Sequence, residues 1–196
     1  MAERTPPHRP GARRLGSLLV AAVFLFVAGL LAAWAWGQPF MLRTRMLWEL
    51  SKMPPPTTLM VPVEGVGPER IADTFGAPRG SDRTHAGVDI FAPRGTPVVS
   101  ATRGLVASIR DTGLGGKQVW VLGPARERHY YAHLDDWKPG LGEGDVLMPG
   151  DTLGFVGTTG NARGTPPHLH YGIYGGEGAY DPLPLLRKSM PEAVRP

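Results

Sequence analysis

The 196-residue chain has no cysteine, which rules out a disulfide framework and any thiolate metal site. It also lacks a basic excess where a nucleic-acid face would need one. Residues 1–59 hold seven Lys/Arg against two Asp/Glu, and residues 60–196 hold fourteen against fifteen. The formal net charge of +4 therefore belongs to the N-terminal region, and nucleic-acid binding is set aside. Beyond that region long apolar runs are missing. Instead 27 glycines and 21 prolines, spread along the chain, separate short apolar runs. That punctuation predicts an all-β class of many short strands joined by turns, in one domain with appendages.

One stretch lacks charge altogether. Leu15 to Ala35 runs 21 residues without a charged side chain, long enough to cross a bilayer as a helix. We expect a basic arm over residues 1–14, carrying Arg4, Arg9, Arg13 and Arg14, and a transmembrane signal-anchor helix over 15–36. The arginines keep the N-terminus cytoplasmic and export the rest. The expected location is thus single-pass in the inner (cytoplasmic) membrane, with the C-terminal domain in the periplasm or otherwise outside. Ala33-Trp34-Ala35 fits a signal-peptide cleavage pattern, but the apolar stretch is longer than a signal core and favours a retained anchor. Residues 37–60 read as a juxtamembrane helix and a linker stiffened by Pro54-Pro55-Pro56. The main domain is expected over 61–186, and a tail over 187–196.

Within that domain His168-Leu169-His170-Tyr171-Gly172-Ile173-Tyr174 reads as a strand. Alternation puts His168 and His170 on one face and Leu169, Tyr171 and Ile173 on a core face. By itself the histidine pair reads equally well as two polar residues on a solvated face. His85 and Asp89, from a loop and the strand after it, and His133 are further candidates for a metal site. Thr96–Ala101 and Leu105–Ile109 are expected to pair with each other, followed by strands at Gln118–Leu122 and His129–Leu134. On the last of these, residues 129, 131 and 133 would share a face, with His129 at the surface. Gly113-Leu114-Gly115-Gly116-Lys117 lacks the first glycine of a phosphate loop, and Gln118 stands where Ser or Thr would bind magnesium, so it reads as a hairpin connection. Asp135-Asp136 reads as a solvated turn, and Asp145 and Asp151 as turn residues.

Four motifs then stand in order: His85-x-Gly87-x-Asp89, Tyr131-Ala132-His133-Leu134, Gly150-Asp151-x-x-Gly154-x-x-Gly157-x-Thr159-Gly160 and Pro167-His168-Leu169-His170. Together they resemble the lysostaphin-type (LytM-domain) zinc metallopeptidases, peptidoglycan endopeptidases, over roughly residues 61 to 186. Pro166 departs from the glycine more usual there, in a loop rather than at a ligand. The resemblance implies a small, mostly antiparallel β-sheet or sandwich domain with a groove across one zinc ion. It implies His85, Asp89 and His170 as zinc ligands, and His133 and His168 as catalytic histidines. It also implies a peptidoglycan peptide as substrate, with a regulator of the cell-wall machinery as a conceivable protein partner. A non-hydrolytic relative that activates another wall hydrolase is the alternative, but such relatives typically lack ligands that this chain keeps. A phosphocarrier of similar fold would need a cytoplasmic domain and conflicts with the export segment.

Overall fold

The computed structural model describes residues 11–79 and 83–188; the first ten residues of the expected arm and residues 189–196 of the expected tail lie outside them. The chain divides into two compact units, Met1–Leu42 and Arg43–Pro196. In the first, helix α1 (Gly11–Trp36) contains a 21-residue stretch, Gly16–Trp36, long and apolar enough to cross a membrane. Phe24, Leu25 and Phe26 are all exposed. It is a candidate membrane span or signal sequence.

The second unit is a mostly antiparallel, curled β-sheet, as the glycine and proline punctuation predicts. Its strands are β1 (Val88–Phe91), β2 (Pro97–Val99), β3 (Gly104–Thr112), β4 (Gly116–Leu122), β5 (Arg128–Trp137), β6 (Val146–Leu147), β7 (Thr152–Val156), β8 (His168–Gly175) and β9 (Gly178–Tyr180). The main path runs β1-β8-β5-β4-β3-β6, with β9 added to β8 and β2 to β7. Gly113 to Gly116 form the expected β3–β4 hairpin connection. β2 pairs with β7, not with the strand after it, so the expected Thr96–Ala101 pairing with Leu105–Ile109 does not form. Arg103 and Gly104 lead the chain away to the opposite part of the sheet.

β5 is the branch point. Arg128 to Ala132 pair with β8, whereas Leu134 to Trp137 pair with β7. The residue between, His133, has a φ of 65°, a conformation uncommon for any residue but glycine. The simple alternation expected along this strand therefore stops at His133. His129 and Tyr131 face the core, while Tyr130, Ala132 and His133 line a cleft. Asp135 and Asp136 lie within β5 rather than in a turn, paired with Arg94 and Lys117. Asp145 and Asp151 do sit in turns, accepting hydrogen bonds from the Gly142 and Met148 amides.

The core gathers Val88 and Ile90 of β1, Val119 and Val121 of β4, Tyr131 and Leu134 of β5, and Leu169, Tyr171 and Ile173 of β8, all fully buried. Helix α3 (Leu183–Arg187) closes one side with Leu183 and Leu186. Helix α2 (Leu42–Lys52) packs Met46 and Leu50 against Leu105 and Val146. The compact unit thus begins well before residue 61.

His129, expected at the surface, is fully buried because its side chain points into this core, where Nδ1 shares a 2.8 Å hydrogen bond with the Tyr171 hydroxyl. Burial pushes its pKa from 6.5 down to about 3. The native state thus refuses a proton that the unfolded chain accepts below pH 6.5. This contribution to stability is complete above that pH and drains as pH falls towards 3, by up to ~1.4 kcal/mol per pH unit. Denaturant unfolding between pH 6.5 and 4.5 should show wild type losing stability more steeply than His129→Gln. Equal slopes would contradict this role.

Candidate metal centre and cleft

The antiparallel register of β1 and β8 sets Asp89 directly opposite His170, with Ala132 of β5 on the other flank of His170. Gly87 permits this approach, since a Cβ there would sit 2.9 Å from His170 Cε1 and collide with the Tyr171 carbonyl. His85 arrives from the preceding loop, where its amide donates to the Ala77 carbonyl at 2.9 Å. Thr74 then fixes two of the three groups. Its carbonyl accepts from His85 Nδ1 at 2.7 Å, and its hydroxyl accepts from the Asp89 amide at 3.1 Å.

The result is a tight triangle. His85 Nε2 lies 2.8 Å from His170 Nδ1 and 3.0 Å from Asp89 Oδ1, and His170 Nδ1 lies 3.2 Å from the same oxygen. Donors bonded at 2.0–2.2 Å to a tetrahedral ion stand ~3.3 Å apart, close to these separations. With Nδ1–H of His85 spent on Thr74, its Nε2 offers a lone pair, so two imidazoles and a carboxylate suit a divalent ion such as zinc. These three residues could hold a metal ion.

The surroundings favour the deprotonated forms of Asp89 and His170. Burial works to raise the Asp89 carboxyl, but its contacts with His170, His85 and the Arg79 guanidinium hold it well below the usual carboxylate range. Arg79 meets the other carboxylate oxygen, leaving Oδ1 to the histidines. Burial lowers His170 despite its hydrogen bond to Asp89.

The two remaining histidines stand beside this triangle. His168 donates Nδ1–H to the Pro166 carbonyl at 2.8 Å, and its Nε2 lies 3.9 Å from Asp89 Oδ1. His133 donates Nδ1–H to the Thr159 carbonyl at 3.0 Å, and its ring centre lies 5.1 Å from that of His168. Burial, followed by the charges of His170 and His168, lowers its pKa to about 4, so it is neutral at pH 7. In each ring a backbone carbonyl engages Nδ1, which leaves Nε2 as the nitrogen available for chemistry.

The structure thus brings all five sequence-derived candidates, His85, Asp89, His133, His168 and His170, into one cleft of about 260 Å³. Sequence reasoning missed its other lining. Tyr130 meets His170 edge-on at 5.7 Å and stacks on Trp120 at 4.2 Å. Arg79 and Thr74 were passed over because nothing in a strand-to-loop segment marks a residue that will touch Asp89. Thr159 stands inside the third motif, whose spacing gives no sign of the contacts that it makes. Its hydroxyl accepts from the Lys117 amide and donates to the Leu134 carbonyl, both at 2.9 Å, on either side of His133.

With this geometry in place, similarity to known proteins is informative. Residues 83–182 match the family model for peptidase family M23, and the chain belongs to that family. It is 38% identical over 125 residues to the L-Ala–D-Glu endopeptidase of Bacillus subtilis, covering 58% of this chain and 38% of that one. It is 32% identical over 111 residues to lysostaphin of Staphylococcus simulans, covering 54% and 22%. The chain thus spans well under half the length of these curated relatives. Among solved structures, the catalytic domain of lysostaphin from the same organism superimposes with a TM-score of 0.54 at 29% identity, covering 60% of this chain and 92% of that one. Helicobacter pylori Csd3 gives 0.56 at 31%, covering 68% and 36%.

Replacing Thr159 tests how the His133 segment is held. Thr159→Val should leave the Lys117 amide and the Leu134 carbonyl without their partner and destabilise the domain by roughly 1–3 kcal/mol in denaturant unfolding. An unchanged midpoint would show that the hydroxyl is dispensable.

Proposed function

We propose that this protein is a membrane-anchored, exported zinc endopeptidase that hydrolyses peptide bonds in bacterial cell-wall peptidoglycan. The observation that carries the reading is the convergence of His85 Nε2, Asp89 Oδ1 and His170 Nδ1 in a cleft that two further histidines flank. Three protein donors and one open position are the pattern of a catalytic rather than a structural site. When bound there, zinc would supply Lewis acidity, lowering the pKa of the attacking water and polarising the scissile carbonyl.

The chain's own residues do the rest. His168, whose Nε2 stands 3.9 Å from Asp89 Oδ1 beside the metal position, takes the proton that the water gives up as its oxygen bonds to the carbonyl carbon. As the C–N bond breaks, that proton passes to the leaving amine. His133 is held neutral by burial and has its Nδ1–H engaged by Thr159, so its Nε2 orients the water by accepting a hydrogen bond. Arg79 and Thr74 keep the Asp89 carboxylate and the His85 ring in position, as outer partners of ligands commonly do.

The address agrees with this chemistry. Arg4, Arg9, Arg13 and Arg14 precede the apolar stretch Gly16–Trp36, which favours a cytoplasmic N-terminus and an outward-facing domain over residues 61–186 together with α2. The relatives named above include one whose name specifies an L-Ala–D-Glu bond, so a peptide of the wall is the natural class of substrate.

Digestion of purified peptidoglycan by the full chain in detergent is the test, with released fragments read by mass spectrometry. We expect new amino termini that vanish with a chelator and return with zinc. His170→Ala and Asp89→Ala should each lose both bound metal and activity. His168→Ala should keep zinc and lose turnover by at least ~10²-fold. Equal metal loss in all three variants would overturn the division of roles. A wall left intact by folded, zinc-loaded protein would overturn the hydrolase reading and favour a non-hydrolytic regulator.

A further inference from the structure

Helix α2 packs on the domain through Met46 and Leu50. Met46 and Leu50, one turn apart, are buried against Leu105 of β3 and Val146 of β6. Glu49 pairs with Arg103 at 2.7 Å, and Arg43 donates to the Glu143 carbonyl at 3.0 Å. At 3.6 residues per turn, the side opposite Met46 and Leu50 carries Trp48, flanked by Thr44 and Lys52. Trp48 is 56% exposed, with Leu47 at 44% on the flank.

We propose that this outward side of α2 seats on the surface of an anionic lipid bilayer. An indole set among cationic side chains matches the chemistry of the membrane–water interface, where tryptophan lies at headgroup level and Lys or Arg meets acidic headgroups. The one acid of the helix, Glu49, is engaged by Arg103, so Arg45 and Lys52 leave the helix with a basic excess towards a negative surface. The covalent tether points the same way. Five residues separate Trp36 at the end of α1 from Leu42 at the start of α2, a reach of at most ~22 Å. This argument rests on the reading that α1 spans a membrane. Strands β4 and β5 lie between β3, which α2 packs against, and β8, which carries His170. A bilayer contact at α2 therefore leaves the cleft free for substrate.

The absence of native cysteine makes site-specific labelling direct. Full-length Thr44→Cys, Glu177→Cys and Val23→Cys proteins, each spin-labelled, would be reconstituted into phosphatidylcholine vesicles with and without phosphatidylglycerol. Collision with a water-soluble nickel chelate is the readout. In anionic vesicles the label at residue 44 should be at least about threefold less accessible than the label at residue 177, in the exposed β8–β9 turn. Adding Lys52→Glu or Trp48→Ser should restore its accessibility, as should omission of the anionic lipid. Equal accessibility at residues 44 and 177 in anionic vesicles, or protection that ignores both substitutions, would overturn the proposal. The label at residue 23 separates the two failures. Protected there, it leaves the anchor standing while the docking face falls; accessible there, it removes the anchor as well.

Discussion

The site depends on the antiparallel register between β1 and β8. Because side chains alternate along a strand, a slip of one residue would exchange the faces of β8. Leu169, Tyr171 and Ile173 would enter the cleft, and His168 and His170 would enter the core. Each of those three side chains is fully buried, and burying one is worth about 1.5–3 kcal/mol. Their sum approaches the whole stability margin of an ordinary domain, about 5–15 kcal/mol. Hydrophobic burial on one face therefore fixes where the candidate ligand atoms stand on the other.

The polar side of the site is arranged to keep its donors free of protons. Burial depresses His133 and His170, and the neighbouring histidines and Arg79 hold the Asp89 carboxylate ionised against that same burial. Metal ligation requires deprotonated donors, so a site already in that state gives up fewer protons when it binds. Backbone carbonyls at Thr74, Thr159 and Pro166 select the tautomers. These carbonyls belong to loops, so the loops set the chemistry that the strands position.

Much of this was legible beforehand, and the limits have physical causes. The alternation through His168–Ile173 showed correctly because β8 is regular and pairs on both sides. The all-β class followed from glycine and proline spacing, which turn geometry imposes locally. The pairing of β2 with β7 was hidden because it joins segments about fifty residues apart with no local marker. His129 was misplaced for a different reason. A histidine at a strand start looks solvated, and only the Tyr171 hydroxyl, distant in sequence, makes its burial tolerable. The outer contacts of Arg79 and Thr74 were invisible because they depend on how one loop folds back over β1.

His133 carries a consequence for how such a chain changes over generations. Its left-handed backbone stores strain that glycine would relieve, yet glycine would remove the imidazole from the cleft. Selection for durability and selection for turnover thus pull on one position in opposite directions. A lineage freed from the need for that imidazole would find an easy gain in firmness at residue 133.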